Sequence, residues 1–309
     1  MKAVLIKDYG GPEQLALGEL ADPEPGPGDV VVDIAAASLN PIDWKMRAGE
    51  VRQYFEFDFP HVPGRDFSGT VRAVGEGVEG VVPGDPVFGI AEVMRWGSHA
   101  EAVAVKAGMV AAKPEALGHE AAAALGISAI TVLAALETTA PIGSGDRILI
   151  HAGAGGVGHL AVQYAKHKGA QVLVTARAGN HDFVAALGAD EAIDYTTTDF
   201  AEAAAECDVV FDTMGGEVHR RSFEALRPGG LLVYINAAPL PEAPGRPDVT
   251  VLNAQVRGDR AALERVVALV GEGTFRPVVE QTYALEDFAE AYARIETGHS
   301  RGKIVFVNG

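Results

Sequence analysis

A short glycine-rich turn near the middle of the chain constrains the fold more than any other feature. Its glycines follow the spacing G-x-G-x-x-G, at Gly153, Gly155 and Gly158. The turn follows an apolar run at 148–151 and opens a helical pattern at 159–167. The first glycine permits a tight turn, the second lets backbone approach a pyrophosphate, and the third lets helix pack on strand. Amides at the start of the helix then face the phosphates, so the turn predicts a dinucleotide-binding β-α-β unit.

Apolar runs alternate with helical segments around this turn. We predict strands at 148–151, 171–175, 192–194, 208–212, 231–235 and 250–253. Near-continuous runs of Val, Ile and Leu are typical of a parallel sheet covered by helices on both faces. Six such strands match the doubly wound nucleotide-binding fold. The Ala-rich stretch at 120–139, just before them, predicts one long helix.

The two ends of the chain have a different texture. Residues 1–118 carry short β-type runs broken by glycine and proline, which predict a compact, mostly antiparallel β domain. The tail elements are predicted as a helix at 261–271, a strand at 276–279, a helix at 285–295 and a strand at 304–307. We expect the tail strands to rejoin the first domain. The predicted domains are therefore 1–119 with 259–309, and 120–258.

The acid that usually completes such a nucleotide site is absent. A carboxylate is expected about 20 residues after the first glycine, where it holds the ribose 2′-hydroxyl. This chain has Thr-Ala-Arg at 175–177 instead, and no acid from 172 to 181. Arg177 is able to form a forked, charge-assisted contact with a phosphate, and we expect His181 and Tyr195 to add donors. The pattern predicts NADPH rather than NADH.

Charge and cysteine content exclude several classes of partner. The formal net charge is −17 at pH 7 over 309 residues, which argues against nucleic acid and against an anionic membrane surface. Cys207 is the only cysteine, which excludes an internal disulfide and a thiolate-cage zinc site. The apolar start of the chain ends at Asp8, too early for a signal peptide, and no apolar run reaches the roughly 20 residues of a transmembrane helix. We expect a cytoplasmic protein without membrane insertion.

Motifs along the whole chain resemble one family. They are DYGGPEQLAL at 8–17, SLNPIDWKMRAG at 38–49, VPGRDFSGTV at 62–71, VVPGDPVFG at 81–89, GSHAEAVAV at 97–105, GAGGVGHLAVQYAK at 153–166, ALGAD at 186–190 and GKIVFV at 302–307. The chain resembles the zinc-independent quinone oxidoreductases related to zeta-crystallin, within the medium-chain dehydrogenase/reductase superfamily. The resemblance implies an α/β protein with a GroES-like, mostly-β catalytic domain and a Rossmann cofactor domain.

The resemblance also implies that no zinc is bound. Zinc alcohol dehydrogenases of the superfamily place a cysteine where this chain has Asn40, and Gly-His-Glu where it has Gly-Arg-Asp at 64–66. Their third ligand would fall near 126–128, which offers no thiolate. His61 and His99 remain, and isolated histidines in β-type loops are interpreted as structural or solvated.

The absence of zinc favours a particular chemistry. Alcohol oxidation needs a Lewis acid to stabilise an alkoxide. A quinone, or the β-carbon of an α,β-unsaturated carbonyl, already moves the charge of an incoming hydride onto oxygen. The protein then needs only to position the nicotinamide and polarise that oxygen. Asn40 is the first candidate to contact nicotinamide or substrate, and Tyr54, Trp44 and Trp96 either wall the acceptor pocket or pack in an aromatic core.

Further cofactor contacts are assigned by position within the resemblance. Thr131 is expected near the nicotinamide-side phosphate or ribose, and Lys303 either reaches the cofactor or is a surface lysine. The other predicted contacts follow the carboxyl ends of the parallel strands, where such sheets bind ligands. They are Gly153, Gly155, Gly156, Val157, Gly158, Thr175, Ala176, Arg177, His181, Tyr195, Met214, Gly215, Ile235 and Asn236.

Three functions stay open at this point. The leading hypothesis is an NADPH-dependent reductase of a small hydrophobic quinone or enone. The second is a trans-acting enoyl-thioester reductase, although the sequence lacks an obvious basic patch for an acidic carrier. The third is a cofactor-binding regulator or structural protein with little turnover.

The sixth predicted strand suggests an oligomer. The segment VTVLNAQV at 249–256 is apolar and is expected at the edge of the parallel sheet. An exposed apolar edge strand is an aggregation hazard unless it is paired or covered. We therefore predict a homodimer that joins two such edges.

Overall fold

The structure, a computed structural model, describes residues 1–235 and 245–309. Two compact units make up the chain. The first unit contains Met1–Ile127, Gly258–Glu272 and Pro277–Gly309, and the second contains Ser128–Arg257 and Gly273–Arg276. The predicted contact residue Asn236 lies outside the described residues. Within those residues, no helix is long and apolar enough to cross a membrane.

Fifteen strands and nine α-helices are found in the described residues. The strands are β1 (Lys2–Ile6), β2 (Leu15–Glu19), β3 (Asp29–Ser38), β4 (Asp66–Val74), β5 (Pro86–Ile90), β6 (Ala102–Lys106), β7 (Val110–Ala112), β8 (Arg147–Ile150), β9 (Gln171–Thr175), β10 (Glu191–Ile193), β11 (Cys207–Asp212), β12 (Leu226–Tyr234), β13 (Thr250–Asn253), β14 (Val279–Ala284) and β15 (Lys303–Val307). The helices are α1 (Pro41–Ala48), α2 (His119–Ala123), α3 (Gly126–Leu133), α4 (Gly158–His167), α5 (His181–Leu187), α6 (Phe200–Ala203), α7 (Gly216–Ser222), α8 (Arg260–Gly271) and α9 (Phe288–Glu296).

A seven-stranded sheet organises the first unit. Its order is β14-β15-β3-β4-β5-β7, with β6 also paired to β3. The ten-residue β3 pairs with β6 near its start and with β15 near its end, so one strand joins the N-terminal and C-terminal parts of the chain. The pairs are antiparallel except β14 with β15. This arrangement confirms a mostly antiparallel, GroES-like fold.

A six-stranded parallel sheet organises the second unit. Its order is β10-β9-β8-β11-β12-β13, which is the doubly wound order 3-2-1-4-5-6. Buried Leu149, Val172 and Val210 on central strands explain the near-continuous apolar runs. The order reverses between β8 and β11, and ligands of such sheets bind beyond the carboxyl ends of the strands at that point. The predicted Rossmann fold is confirmed.

The single helix predicted at 120–139 is wrong. The segment forms α2, then α3, then a π-helical turn at Ala134–Thr139. The break before α3 has a chemical cause, because the backbone N–H of Ile127 donates to Asp66 Oδ1 at 2.5 Å. A Cβ on Gly126 would lie 2.2 Å from the same oxygen, so the carboxylate fixes the place where the helix restarts.

The tail returns to the first sheet as expected, but the strand predicted at 276–279 is displaced. The observed strand β14 begins at Val279. Arg276 is unable to pair in the sheet because its backbone pairs with the side chain of Gln163 on α4. Arg276 N–H donates to Gln163 Oε1 at 3.0 Å, and Gln163 Nε2 donates to the Arg276 carbonyl at 3.1 Å.

Candidate functional site

The glycine turn after β8 has the shape of a phosphate cradle. Ala152 has a left-handed backbone, with φ of 52°. A Cβ on Gly158 would lie 2.1 Å from the Ala152 carbonyl oxygen, so a side chain is excluded where the turn enters α4. A Cβ on Gly155 would meet only the Ala152 carbonyl oxygen, at 3.3 Å, with open space otherwise. The turn therefore fits a pyrophosphate that approaches the backbone beside the start of α4.

A buried chain of hydrogen bonds lies behind this turn. The Ala152 N–H donates to Thr175 Oγ1 at 3.1 Å, and the same hydroxyl lies 3.1 Å from His151 Nδ1. His151 Nε2 lies 3.0 Å from Ser222 Oγ, which donates to the Val218 carbonyl at 2.7 Å. Burial lowers the pKa of His151 to about 4, so its imidazole is neutral at physiological pH. The sequence predicted Thr175 as a cofactor contact. In the structure its hydroxyl is hydrogen-bonded to Ala152 and His151 within the second unit.

The end of β9 carries the side chains predicted to recognise a phosphate. Arg177 is exposed, and its Nε donates to Tyr195 Oη at 3.0 Å. Tyr195 is 46% exposed, which leaves the pair accessible to a ligand. His181 Nε2 lies 3.3 Å from the carbonyl oxygen of Ala176, the residue before Arg177. Arg177 is thus in contact with Tyr195, and His181 with the Ala176 carbonyl, while the roles of these residues toward a ligand stay predictions.

A second turn follows β11 on the other side of the topological switch point. Asp212 Oδ1 accepts the N–H groups of Met214 at 2.7 Å and Gly215 at 2.9 Å. Asp212 Oδ2 lies 2.7 Å from His219 Nδ1, and both side chains are buried. Burial alone would raise the pKa of Asp212, but these hydrogen bonds outweigh it and lower the pKa. Asp212 therefore fixes the two residues predicted to border a cofactor.

The remaining predicted cofactor contacts of the second unit are spread over its elements. Thr131 is buried on α3, with 5% of its surface exposed. Met214 is 55% exposed at the turn after β11, and Ile235 is half-buried just after β12. Gly156 and Val157 lie in the turn that leads into α4.

Charged and polar side chains are buried together in the first unit. Asp66, at the start of β4, has no exposed surface. Its Oδ2 accepts from Ser38 Oγ at 2.7 Å, from Asn40 Nδ2 at 2.8 Å and from Lys303 Nζ at 3.3 Å. Together with the Ile127 N–H, four donors surround one carboxylate, which compensates for its burial.

Asn40 and Lys303 form the centre of this polar cluster. Lys303 is 3% exposed and donates to Asn40 Oδ1 at 2.6 Å. Lys303 is therefore a buried lysine and not a surface one. The Asn40 amide has a partner at each end, since its nitrogen donates to Asp66 while its oxygen accepts from Lys303. The ammonium has three N–H donors, of which Asn40 and Asp66 accept two.

A second buried carboxylate lies beside the cluster. Asp43 Oδ2 accepts the Asn40 N–H at 2.7 Å, whereas Oδ1 is buried without a hydrogen-bond partner. Burial and the nearby Asp66 charge raise the pKa of Asp43 to about 7. His99 Nε2 lies 3.8 Å from Asp43 Oδ2, and His99 Nδ1 lies 2.8 Å from Tyr292 Oη. Burial lowers the pKa of His99 to about 4, so this histidine is neutral and structural.

The structure places the three predicted aromatic residues in different surroundings. Tyr54 is 52% exposed in the turns that follow α1. Trp44 packs against the core cluster that contains Tyr292 and Phe306. Trp96 is 43% exposed and lines a surface depression with Met1, Pro23 and Met94. Tyr54 thus has the exposure that a pocket wall needs, whereas Trp44 packs as a core residue.

Several residues with clear structural roles at these sites were missed by the sequence reasoning. They are Ser38, Asp43, Asp66, His151, Asp212, His219 and Ser222. One of them had a local signal, because Asn40-x-x-Asp43 at the start of α1 is a capping-box spacing. The others come together only through the fold. Within residues 1–235 and 245–309, no group of three or more His, Cys, Asp or Glu is arranged to hold a metal ion.

Comparisons with known proteins agree with this architecture. The model of the alcohol dehydrogenase GroES-like domain matches residues 26–115, and that of the zinc-binding dehydrogenase family matches 187–306. The 2-methylene-furan-3-one reductase of Solanum lycopersicum is 35% identical, over 99% of this chain and 78% of its own. The chloroplastic NADPH-dependent alkenal/one oxidoreductase of Arabidopsis thaliana is 33% identical, over 99% and 79%. The solved structure of Escherichia coli quinone oxidoreductase complexed with NADPH superposes with a TM-score of 0.92, at 26% identity and full coverage of both chains.

Proposed function

The chain belongs to the quinone oxidoreductase and alkenal reductase branch of the medium-chain dehydrogenase/reductase superfamily, and from this premise we propose that it is an NADPH-dependent reductase of quinones or α,β-unsaturated carbonyls. One observation carries the proposal. The first unit holds a buried ammonium, Lys303, against Asn40 and Asp66. A fixed positive charge of this kind stabilises negative charge that develops on an acceptor oxygen.

NADPH fits the residues of the second unit. When bound, it supplies a hydride. The open backbone at Gly155 holds the pyrophosphate, and the exposed pair of Arg177 and Tyr195 binds the 2′-phosphate, with His181 as a further donor. We expect the other predicted contacts of this unit to border the cofactor: Thr131, Gly153, Gly156, Val157, Gly158, Thr175, Ala176, Met214, Gly215 and Ile235.

The acceptor is recognised by its oxygen. Reduction of an enone at the β-carbon, or of a quinone, moves charge onto a carbonyl oxygen, and the cluster of Asn40 and Lys303 lowers the energy of that charge. Asn40 orients the ammonium, because its side-chain oxygen accepts from Lys303 at 2.6 Å. Tyr54 lines the acceptor pocket. The proton that completes the reaction comes from water.

The reaction proceeds without zinc in this proposal. The sequence positions that hold zinc in the metal-dependent relatives are 40, 64–66 and 126–128, and members of all three meet at Asp66 in this structure. The positive charge there belongs to Lys303. Elemental analysis of purified protein should find no stoichiometric zinc, and exhaustive chelation should leave activity unchanged. One tightly held zinc per chain would refute this part of the proposal.

The protein acts as a homodimer in the cytoplasm in this proposal. Strand β13 pairs only with β12 among the described residues, and Val251 on it is 38% exposed. Two such edges are able to join into one continuous sheet. Light scattering at micromolar concentration should give the dimer mass, and a monomer would contradict the prediction. The single cysteine, Cys207, is a buried free thiol, which fits a reducing compartment.

A substrate screen tests the central proposal. Oxidation of NADPH is followed with quinones, short enones, enoyl thioesters and simple aldehydes as acceptors. We expect turnover with quinones or enones and none with aldehydes, which lack a conjugated position for the charge. Turnover confined to enoyl thioesters would support the carrier-dependent reductase. Tight NADPH binding without turnover on any acceptor would support the regulator.

A further inference from the structure

His151 is a buried titratable group that takes no part in the proposed hydride transfer. It is 1% exposed and directly follows β8, just before the glycine turn. Both ring nitrogens have side-chain partners, Thr175 Oγ1 and Ser222 Oγ. The Thr213 hydroxyl donates to the His151 carbonyl at 2.9 Å. The residue is thus bonded to β9, to α7 and to the turn after β11.

Hydrogen counting fixes the direction of every bond in this chain. Ser222 has one hydroxyl hydrogen, and the Val218 carbonyl accepts it, so Ser222 Oγ accepts from His151 Nε2–H. A neutral imidazole with hydrogen on Nε2 has a bare Nδ1, which accepts from the Thr175 hydroxyl. The Thr175 oxygen in turn accepts the Ala152 N–H. Donation therefore runs in one direction, from Ala152 through Thr175, His151 and Ser222 to the Val218 carbonyl. We call this series of hydrogen bonds the relay.

The first member of this relay sits at the most constrained point of the turn. Ala152 is in the left-handed region, which disfavours a residue with a side chain. Its N–H bond to Thr175 helps to hold that conformation. The Gly153 N–H donates to the Thr175 carbonyl at 3.0 Å, so Thr175 holds two successive residues at the entry to the phosphate cradle.

We propose that Thr175 and His151 are positioning residues of the phosphate turn, which set the affinity for the pyrophosphate shared by NADPH and NADH. This inference rests on the proposed cofactor site. The relay shapes the glycine turn so that it binds either dinucleotide. The exposed Arg177 discriminates between the two dinucleotides. Thr175 acts through the backbone of the turn, because its hydroxyl bonds the Ala152 N–H and His151.

Two conservative substitutions of Thr175 test the relay. Thr175→Val keeps the shape and removes the hydroxyl, so the Ala152 N–H and His151 Nδ1 both lose their partner. We expect the dissociation constants of NADPH and NADH to rise by the same factor, about fivefold to tenfold, which is the size of a lost buried hydrogen bond. Thr175→Ser retains the hydroxyl and should restore both affinities to within about twofold of wild type. Both constants are measured by calorimetric titration.

A matched control separates positioning from general destabilisation. Val210→Ala removes core volume from the neighbouring strand β11 without touching the relay. It should lower the midpoint of urea unfolding at least as much as Thr175→Val while leaving both dissociation constants unchanged. Equal affinity losses in the two variants would overturn the proposal, as would unchanged affinity in Thr175→Val. A loss confined to NADPH would also overturn it, and would place the Thr175 hydroxyl on the 2′-phosphate.

A spectroscopic measurement of the His151 tautomer tests the order of these hydrogen bonds in the absence of any cofactor. In protein labelled with ¹⁵N-histidine, the His151 ring should show the Nε2–H tautomer near neutral pH. Ser222→Ala removes the acceptor of that hydrogen and should raise the population of the Nδ1–H tautomer. An Nδ1–H tautomer in wild type would refute the bond order. If wild type shows the expected tautomer but binds neither dinucleotide, the cofactor proposal fails and the positioning role fails with it, while the hydrogen-bond order stands.

Discussion

The cofactor turn of the second unit and the polar cluster of the first unit hold their geometry in different ways. The turn is mostly backbone, made within a few consecutive residues, and the side chains proposed to bind the 2′-phosphate, Arg177 and Tyr195, lie exposed. The cluster is made of side chains from three strands and the start of α1, and its charged pair, Asp66 and Lys303, is buried. The turn depends on its glycines and on the few hydrogen bonds that hold Ala152 and Gly153 in place. A buried charged cluster depends on every partner, since each charge is compensated only by the others.

The largest effect should come from removing the ammonium of the cluster. Lys303→Met leaves the Asp66 carboxylate buried without its cation, and breaking one partner of a buried pair typically costs about 3–5 kcal/mol. We expect the free energy of unfolding to fall by that amount in urea titration. The double variant Lys303→Met/Asp66→Asn removes both charges and should recover part of the loss. A single-variant loss below about 1 kcal/mol would mean that the pair is weakly coupled.

The next largest effect should come from the exposed half of the cofactor site. Arg177→Ala removes a charge-assisted contact worth roughly 1.5–3 kcal/mol, so NADPH should bind about 10- to 100-fold more weakly while NADH is nearly unchanged. Paired titrations with the two dinucleotides measure this. Tyr195→Phe removes only the hydroxyl that accepts from Arg177, and serves as the milder matched variant. Equal losses for both cofactors in Arg177→Ala would indicate that the arginine supports the fold.

The pH dependence of stability should separate the charged groups of the first unit. Burial raises the pKa of Asp43 from 3.8 to about 7, so the folded state keeps a proton that the unfolded state loses between these values. The titration of Asp43 therefore lowers the free energy of unfolding as pH rises from about 4 to about 7, by at most about 1.4 kcal/mol per pH unit. Burial lowers the pKa of both His61 and His99 from 6.5 to about 4, which gives the opposite slope over that range.

Asp43→Asn should remove the fall in unfolding free energy with pH that Asp43 causes, and leave the rise that the histidines cause. The unfolding free energy of the variant, relative to wild type, should therefore increase as pH rises from about 4 to about 7 and stay constant above. Urea titrations at half-unit pH intervals give the two curves. Parallel curves across that range would show that Asp43 titrates at its ordinary pKa in the folded chain.

The smallest effect should come from the backbone of the cofactor turn. Ala152 pays roughly 1–2 kcal/mol for its left-handed conformation, and glycine would remove that strain at an entropic cost of about 0.5–1 kcal/mol. Ala152→Gly should thus stabilise the protein by at most about 1 kcal/mol, measured in urea. A clear destabilisation would show that the Ala152 methyl group makes contacts that matter more than its φ.

The difference between the two sites also explains what the sequence could predict. The glycine spacing, the missing acid and Arg177 lie within 25 residues, so local pattern was enough to anticipate the turn and an arginine close after it in sequence. Ser38, Asp66 and Lys303 are up to 265 positions apart, and only the pairing of β3 with β4 and β15 brings them together. Burial of a lysine has no signature in one sequence, because it depends on partners that the fold supplies.

Local pattern also failed where a distant group intervened. The segment at 120–139 has helical composition throughout, and a carboxylate 61 positions away ends the first helix by binding the Ile127 N–H. The hydrogen bond between Thr175 and His151 had no local signal either, since the two residues are 24 positions apart. The six parallel strands and the edge position of the sixth, by contrast, were predicted from the alternation of apolar runs and helices, and the structure confirms them.

The four residues at 273–276 bear on how such a chain can be engineered or recombined. They belong to the second unit, where Thr274 Oγ1 lies 3.0 Å from His167 Nδ1 and Arg276 pairs with Gln163, yet both neighbouring segments belong to the first unit. A cassette cut at 128 and 257 would leave the Gln163 amide and the face of Tyr164 that meets Phe275 exposed. A chimaera between relatives has to carry this short insert from elsewhere in the gene, so a single crossover at each end cannot exchange the cofactor unit intact.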